Sequence, residues 1–261
     1  MLKILRSLIP RAVLEKEKSA SVSCGTFSKV DSNAANKAAE WWQNDSYTQV
    51  KRFRTIKWLG FTVWQRPYKE TITGNYLRPA KELMNVFKSL WESDIIPSIS
   101  EKSVIFEPGC NVGSNLIALQ DYSGCKVVGM DISREAMETA NKLWYSRTSH
   151  EFKLGNVLTT DFFRQLPDNY FDLCITKWHL IHIPFSEDKN KYIESLKRIS
   201  KTLVIFEPIK ESRDSSDRVE LSNQGKFCLS WDSWASDYGL TEYKPARQMF
   251  KDNTRVYFNN K

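Results

Sequence analysis

The sequence predicts an α/β protein: a mostly parallel, seven-stranded sheet with an antiparallel last strand, set behind an N-terminal helical extension. Three observations lead there. From residue 103 onward, short apolar runs alternate with helical stretches, the pattern of a parallel sheet covered by helices on both faces. A glycine-bearing turn, Glu107-Pro108-Gly109-Cys110-Asn111-Val112-Gly113, follows the first of those runs. Near the C-terminus two strand-like segments stand too close together for a crossover connection, so they pair antiparallel.

A chain of 261 residues is long enough to bury a real core. Its 41% hydrophobic and 26% charged residues fit a globular protein and exclude disordered, collagen-like and disulfide-scaffold classes. No apolar run approaches the ~20 residues of a membrane span. The five cysteines (Cys24, Cys110, Cys125, Cys174, Cys228) are odd in number and form no CxxC pair. Neither a disulfide framework nor a structural zinc site is expected, and a reducing cytoplasm is the expected location. The net charge of +7 lies wholly in residues 1–100, which hold 16 Lys/Arg against 9 Asp/Glu. The remaining residues carry 22 of each. An anionic partner met by the N-terminal part explains this excess, and so does a basic, solvated surface.

Residues 1–18 form a basic amphipathic segment, with Leu2, Ile4, Leu5, Leu8 and Ile9 interleaved with Lys3, Arg6 and Arg11. Arg6 and Pro10 break the apolar run that a secretory signal needs, so export is not expected. Such a segment lies in a membrane interface, here the inner face, or packs on its own core or a second subunit. Residues 19–100 read as a linker followed by a helical, aromatic and basic region suited to a lid and acceptor pocket. Trp41, Trp42, Tyr47, Phe53, Trp58 and Trp64 stand beside Lys51, Arg52, Arg54 and Lys57. That mixture stacks on bases or sugar rings, or simply packs as core. In 78–91, Leu83, Val86, Phe87 and Leu90 recur at helical spacing, with Pro79 placed in the first turn.

Residues 101–261 hold the sheet. Strands are expected at 103–106, 126–130, 151–154, 171–176 and 202–206, and helices at 113–121, 134–145, 158–165 and 187–200. The last two strands are expected near 241–250 and 254–259.

In an open α/β sheet, ligands bind beyond the carboxyl ends of the strands. After the first strand, Gly109 and Gly113 permit a tight turn and close approach of a ligand to the backbone. Their spacing is not the G-x-G-x-x-G of a dinucleotide site. After the second strand, Asp131 is placed to accept two ribose hydroxyls, or to cap the next helix, a task Ser133 can also perform. After the third, Asn156 and Val157 offer an amide and a backbone N–H to an adenine edge, or form a plain turn.

EPGCNVGSNL, followed by VVGMDIS, GNV and FDLCITKWHLIHI, resembles the Rossmann-like, class I S-adenosylmethionine-dependent methyltransferases. The resemblance spans about residues 103–260 and implies that fold. The E-x-G-x-N-x-G-x-N-L form with TK-x-x-L-I-H-I is also similar to small methyltransferases of bacterial surface-sugar pathways, of the pseudaminic-acid-associated type. The implied cofactor is S-adenosyl-L-methionine. Gly109, Asn111 and Gly113 would surround its methionine part, with Glu107 near the amino group. Asp131 would hold the ribose, Asn156 and Val157 the adenine, and Ile132 its face. Lys177 would lie beside the donor methyl.

Methyl transfer to a hydroxyl needs a base with a pKa near the working pH. Two of the three histidines, His179 and His182, follow the fourth strand and are candidates for that role; each also fits a buried imidazole bonded to backbone. Glu207, ending the fifth strand, is a second type of base candidate. Lys177 binds an acidic acceptor, or only neutralises Glu107 or Glu207. The fourth strand's end offers no oxygen ligand set, so no metal is expected. The expected acceptor is a small molecule or glycan, such as an acidic sugar of a surface polysaccharide, methylated on oxygen. A nucleic-acid acceptor and a non-catalytic scaffold are the alternatives. TKWHLIHIP lacks the N/D-P-P-Y/F form common among base methylators, which disfavours nucleic acid. Oligomeric state is not indicated by the sequence.

Overall fold

A computed structural model describes residues 25–26, 55–58, 61–65, 68–158, 161–183, 187–208, 220–221, 227–228, 235–250 and 254–260. The expected amphipathic segment over 1–18 lies outside them, as does most of the aromatic and basic block.

Seven strands form one sheet: β1 (Val104–Pro108), β2 (Lys126–Asp131), β3 (His150–Leu154), β4 (Phe171–Lys177), β5 (Ser200–Pro208), β6 (Thr241–Glu242) and β7 (Thr254–Asn260). Their order is β6-β7-β5-β4-β1-β2-β3. The five strands β1 to β5 run parallel; β7 runs antiparallel to β5, and β6 antiparallel to β7. The mostly parallel sheet with an antiparallel end is therefore present as expected. The order reverses between β1 and β4, so the loops after these two strands meet at the crevice where such sheets bind ligands.

The helices are α1 (Tyr68–Glu92), α2 (Ser114–Ser123), α3 (Arg134–Leu143), α4 (Phe162–Gln165) and α5 (Glu187–Ile199). They cover both faces, and neighbouring strand residues feed opposite cores. Ile105 joins Leu83, Val86, Phe87, Leu90, Leu116 and Ile117 on one side. Phe106 joins Phe163, Phe171, Ile193 and Leu196 on the other, stacking on Phe171 with ring centroids 4.8 Å apart. Burial on both faces explains why these strands read as unbroken apolar runs rather than alternating ones.

Four details differ from expectation. The helix expected over 78–91 is the second half of α1, so Pro79 lies inside a 25-residue helix rather than in its first turn. It removes one backbone rung there. The helix expected at 158–165 is one turn, Phe162–Gln165. The strand expected over 241–250 is limited to Thr241–Glu242, followed by a 3-10 turn over Lys244–Gln248. Pro245 has no N–H for a ladder and its fixed φ favours a helical turn. The region expected to be linker and helix also contributes strands. Thr55–Trp58 pairs with Phe61–Gln65, and Gly25–Thr26 pairs with Glu220–Leu221.

Candidate active site

The turn after β1 is set by three left-handed residues at alternate positions: Gly109 (φ 68°), Asn111 (φ 49°) and Gly113 (φ 77°). Asparagine enters this region more readily than other side-chain-bearing residues, so it can stand between two glycines. Contacts also exclude side chains at both glycines. A Cβ on Gly109 would lie 2.1 Å from His179 Nδ1, and one on Gly113 would lie 2.4 Å from the Phe152 ring. The turn therefore lies flush against the loop after β4 on one side and β3 on the other.

Asp131, the last residue of β2, holds the same turn. Its Oδ2 accepts the N–H of Asn111 at 2.8 Å, and its Oδ1 accepts the N–H of Ser133 at 2.9 Å. Burial pushes the Asp131 carboxyl up, while the N–H groups of Ser133, Asn111 and Ile132 pull it down. The cap of α3 is Ser133, whose Oγ accepts the N–H of Ala136 at 3.2 Å. Asp131 is thereby spared the capping role and is half-buried, as is Ile132 beside it.

Glu107 lies beneath the turn and is 1% exposed. Its Oε1 accepts a hydrogen bond from the Asn115 side chain at 2.7 Å. Its Oε2 is buried without a hydrogen-bond partner among the described residues. Burial pushes this carboxyl up to about 8, against the lowering pull of the Asn115 amide and Lys177. After β3, Asn156 Oδ1 accepts the N–H of Leu158 at 3.0 Å, and Val157 packs on the Phe106 side of the core. That local bond is the turn weighed from the sequence, and it leaves the side-chain N–H groups of Asn156 for another acceptor.

Lys177 closes β4 and is buried, with its Nζ 5.4 Å from the centroid of the Trp178 ring. Trp178 itself has a φ of 53°, a strained value for a bulky residue, and is 37% exposed. Its N–H bonds Phe206 O at 2.8 Å, and its indole N–H bonds Thr254 Oγ1 at 3.1 Å. A 3-10 turn, Leu180–His182, follows. His182 ends that turn half-buried, its N–H bonded to His179 O at 3.0 Å.

The two histidines do not share an environment. The Nε2 of His179 is buried with no hydrogen-bond partner among the described residues. Burial lowers its pKa to about 3, so the ring is neutral and packs between Gly109 and Tyr192. Glu207 is 0% exposed, and its Oε1 accepts the N–H groups of His179 at 2.8 Å and Leu180 at 2.7 Å. The carboxylate that reads in sequence as a rim base thus lies under the turn, bonded to its backbone. Cys110 is also buried, which pushes its thiol well up and away from nucleophilic behaviour.

Sequence reasoning passed over two residues that shape this site. Trp144, just after α3, donates its indole N–H to Val112 O at 2.7 Å and pins the turn from outside. Lys189, on α5, is 0% exposed and donates to Leu180 O at 2.7 Å and Ile183 O at 3.0 Å. Trp144 follows a helix and looks like core, whereas Lys189 sits in the polar stretch EDKNKYIE and looks solvated. Among the described residues, no group of three His, Cys, Asp or Glu is arranged to hold a metal ion. No described helix is long and apolar enough to cross a membrane.

Residues 106–205 match a family model described as a methyltransferase domain. No curated protein matches the sequence. Two solved structures share the fold at low identity. One is geranyl diphosphate C-methyltransferase from Streptomyces coelicolor A3(2), solved with Mg2+, geranyl diphosphate and S-adenosyl-L-homocysteine. It is 11% identical with a TM-score of 0.53, over 88% of this chain and 98% of that one. The other is magnesium protoporphyrin IX methyltransferase from Synechocystis PCC 6803, solved with S-adenosylmethionine bound. It is 14% identical with a TM-score of 0.51, over 89% of this chain and 98% of that one. Strand order, the turn after β1 and the family match agree: the chain has the Rossmann-like methyltransferase fold, and its residues 106–205 match a methyltransferase domain.

Proposed function

We propose that the chain transfers a methyl group to a hydroxyl of an acidic small molecule or glycan, such as a carboxylated sugar of a surface polysaccharide. The observation that carries this reading is the edge after β4, where buried Lys177, half-exposed Trp178 and half-buried His182 stand within six residues. A sugar offers an apolar face to an indole and a carboxylate to an ammonium. His182 is the base in this reading. His179 and Glu207 are less suited, since one is held neutral and packed and the other is bonded to backbone beneath the turn. The narrower likeness of ExGxNxGxNL and TKxxLIHI to surface-sugar methyltransferases supports the same acceptor class.

The donor site is assigned to the turn after β1 and its neighbours. The residues fit S-adenosylmethionine, whose sulfonium supplies an already activated methyl group. The unpartnered Oε2 of Glu107 suits an ammonium. Each oxygen of Asp131 keeps a lone pair for a ribose hydroxyl. Asn156, Val157 and Ile132 border the adenine position. Lys177 orients the acceptor's carboxylate, and His182 removes the hydroxyl proton as oxygen attacks. The protein works in the cytoplasm, with residues 1–18 resting on the inner membrane face.

The test is transfer of labelled methyl from S-adenosylmethionine to carboxylated sugars, matched neutral sugars and transfer RNA. Label on carboxylated sugars alone, lost in Lys177→Met and His182→Ala, supports the reading. Label on RNA would replace it with the nucleic-acid alternative.

A further inference from the structure

We propose that Lys189 and Glu207 are positioning residues: two buried side chains that bond the backbone of the turn after β4, fix it, and so aim Trp178 and His182 at the acceptor. The inference rests on reading that turn as the acceptor's edge.

The turn has few means of its own to hold its shape. It opens on Trp178 in a strained left-handed conformation, which persists only where the surroundings impose it. It closes within a single 3-10 turn, bonded through His182 N–H to His179 O and Ile183 N–H to Leu180 O. The remaining backbone groups are satisfied from elsewhere. Glu207, on β5, takes the N–H groups of His179 and Leu180 on one oxygen. Lys189, on α5, donates to the carbonyls of Leu180 and Ile183. One side chain thus gathers donors and the other acceptors from the same short segment, each across a different element. Both are fully buried. Burial pushes Glu207 up and Lys189 down, and each opposes that push on the other.

Buried ionisable side chains are a poor way to gain stability, because desolvation offsets most of what their bonds return, and apolar packing does as well. What they supply is geometry. An alkyl replacement keeps the volume but loses the directed bonds. The turn after β1 touches this one where His179 meets Gly109, but it keeps supports of its own in Asp131, Asn115 and Trp144.

The experiment compares wild type, Lys189→Met and Glu207→Met as full-length proteins. Amide exchange across 178–183, the ring signals of His179 and His182 by NMR, and titration with S-adenosylhomocysteine are measured together. The expected result is exchange ~10-fold faster in 178–183 than in wild type, with β1 and β2 unchanged. The His182 signal should shift or broaden, and S-adenosylhomocysteine should bind as in wild type. Unchanged exchange and histidine signals in both variants overturn the proposal. So does a uniform rise across the whole domain, which marks a general stability role. If Lys189→Met does not fold, Glu207→Met decides by the same readings. Failure of wild type to bind S-adenosylhomocysteine would instead strike the donor-site reading, leaving the turn measurement intact.

Discussion

His179 and Gly109 come from different strands, yet they fill one another's space: a Cβ on Gly109 would lie 2.1 Å from His179 Nδ1. Gly109→Ala therefore meets two obstacles, the imidazole and its own φ of 68°. The expected loss is about 2–4 kcal/mol, from overpacking plus left-handed strain. His179→Ala on top of it should restore the steric part and leave only about 1–2 kcal/mol. Urea unfolding of the two single variants and the double one measures this. Additive losses would show that the two loops are not in contact.

Glu107 gives a pH test with a definite sign. Its carboxyl stands at about 8 in the folded chain, above its ordinary 4.5. The folded state thus holds a proton that the unfolded state gives up. That contribution is complete below pH 4.5 and is lost as pH rises toward 8. Glu107→Gln should lose less thermal stability than wild type between about pH 5 and pH 8. Binding of an ammonium at Oε2 should also expel the proton. Calorimetry at neutral pH in two buffers of different ionisation heat should show proton release by wild type and none by Glu107→Gln. Equal slopes in the melting experiment would refute a protonated Glu107.

Much of the fold was readable because it rests on patterns local in sequence. Each of β1, β2, β4 and β5 is an apolar run buried on both faces and followed by polar or glycine residues that end it, whereas β3, at the sheet's edge, is half-exposed. Asp131 was legible too, as an acid at a strand's carboxyl end. Lys189 was not, because a lysine among polar neighbours reads as solvated; its burial depends on Glu207 and on two carbonyls that only tertiary structure brings near. Trp144 was hidden for a similar reason, since its partner Val112 lies 32 residues away. The split between His179 and His182 also escaped the sequence. Both follow the same strand, three residues apart, and nothing in that spacing shows that the His179 ring packs against Gly109 with its Nε2 buried.

Trp144→Phe tests the outer pin of the donor turn. It keeps an aromatic ring and removes one indole N–H, leaving Val112 O buried without its 2.7 Å partner. A loss of about 1–3 kcal/mol is expected. The same variant should bind S-adenosylhomocysteine more weakly, because the loosened carbonyl belongs to the donor turn. Unchanged stability and affinity would mean that Val112 finds another partner at no cost.

The most direct test of the donor site is calorimetric titration of full-length protein with S-adenosylhomocysteine, with Asp131→Ala alongside and NADH as control. Asp131 accepts N–H groups from Asn111 and Ser133 and is the residue proposed to hold the ribose. Saturable binding by wild type is expected, weakened by about 100-fold or more in Asp131→Ala, as loss of two charged hydrogen bonds implies. The variant should still melt cooperatively, and NADH should bind neither protein. Equal affinity in a folded Asp131→Ala, or no binding by folded wild type, would contradict the account.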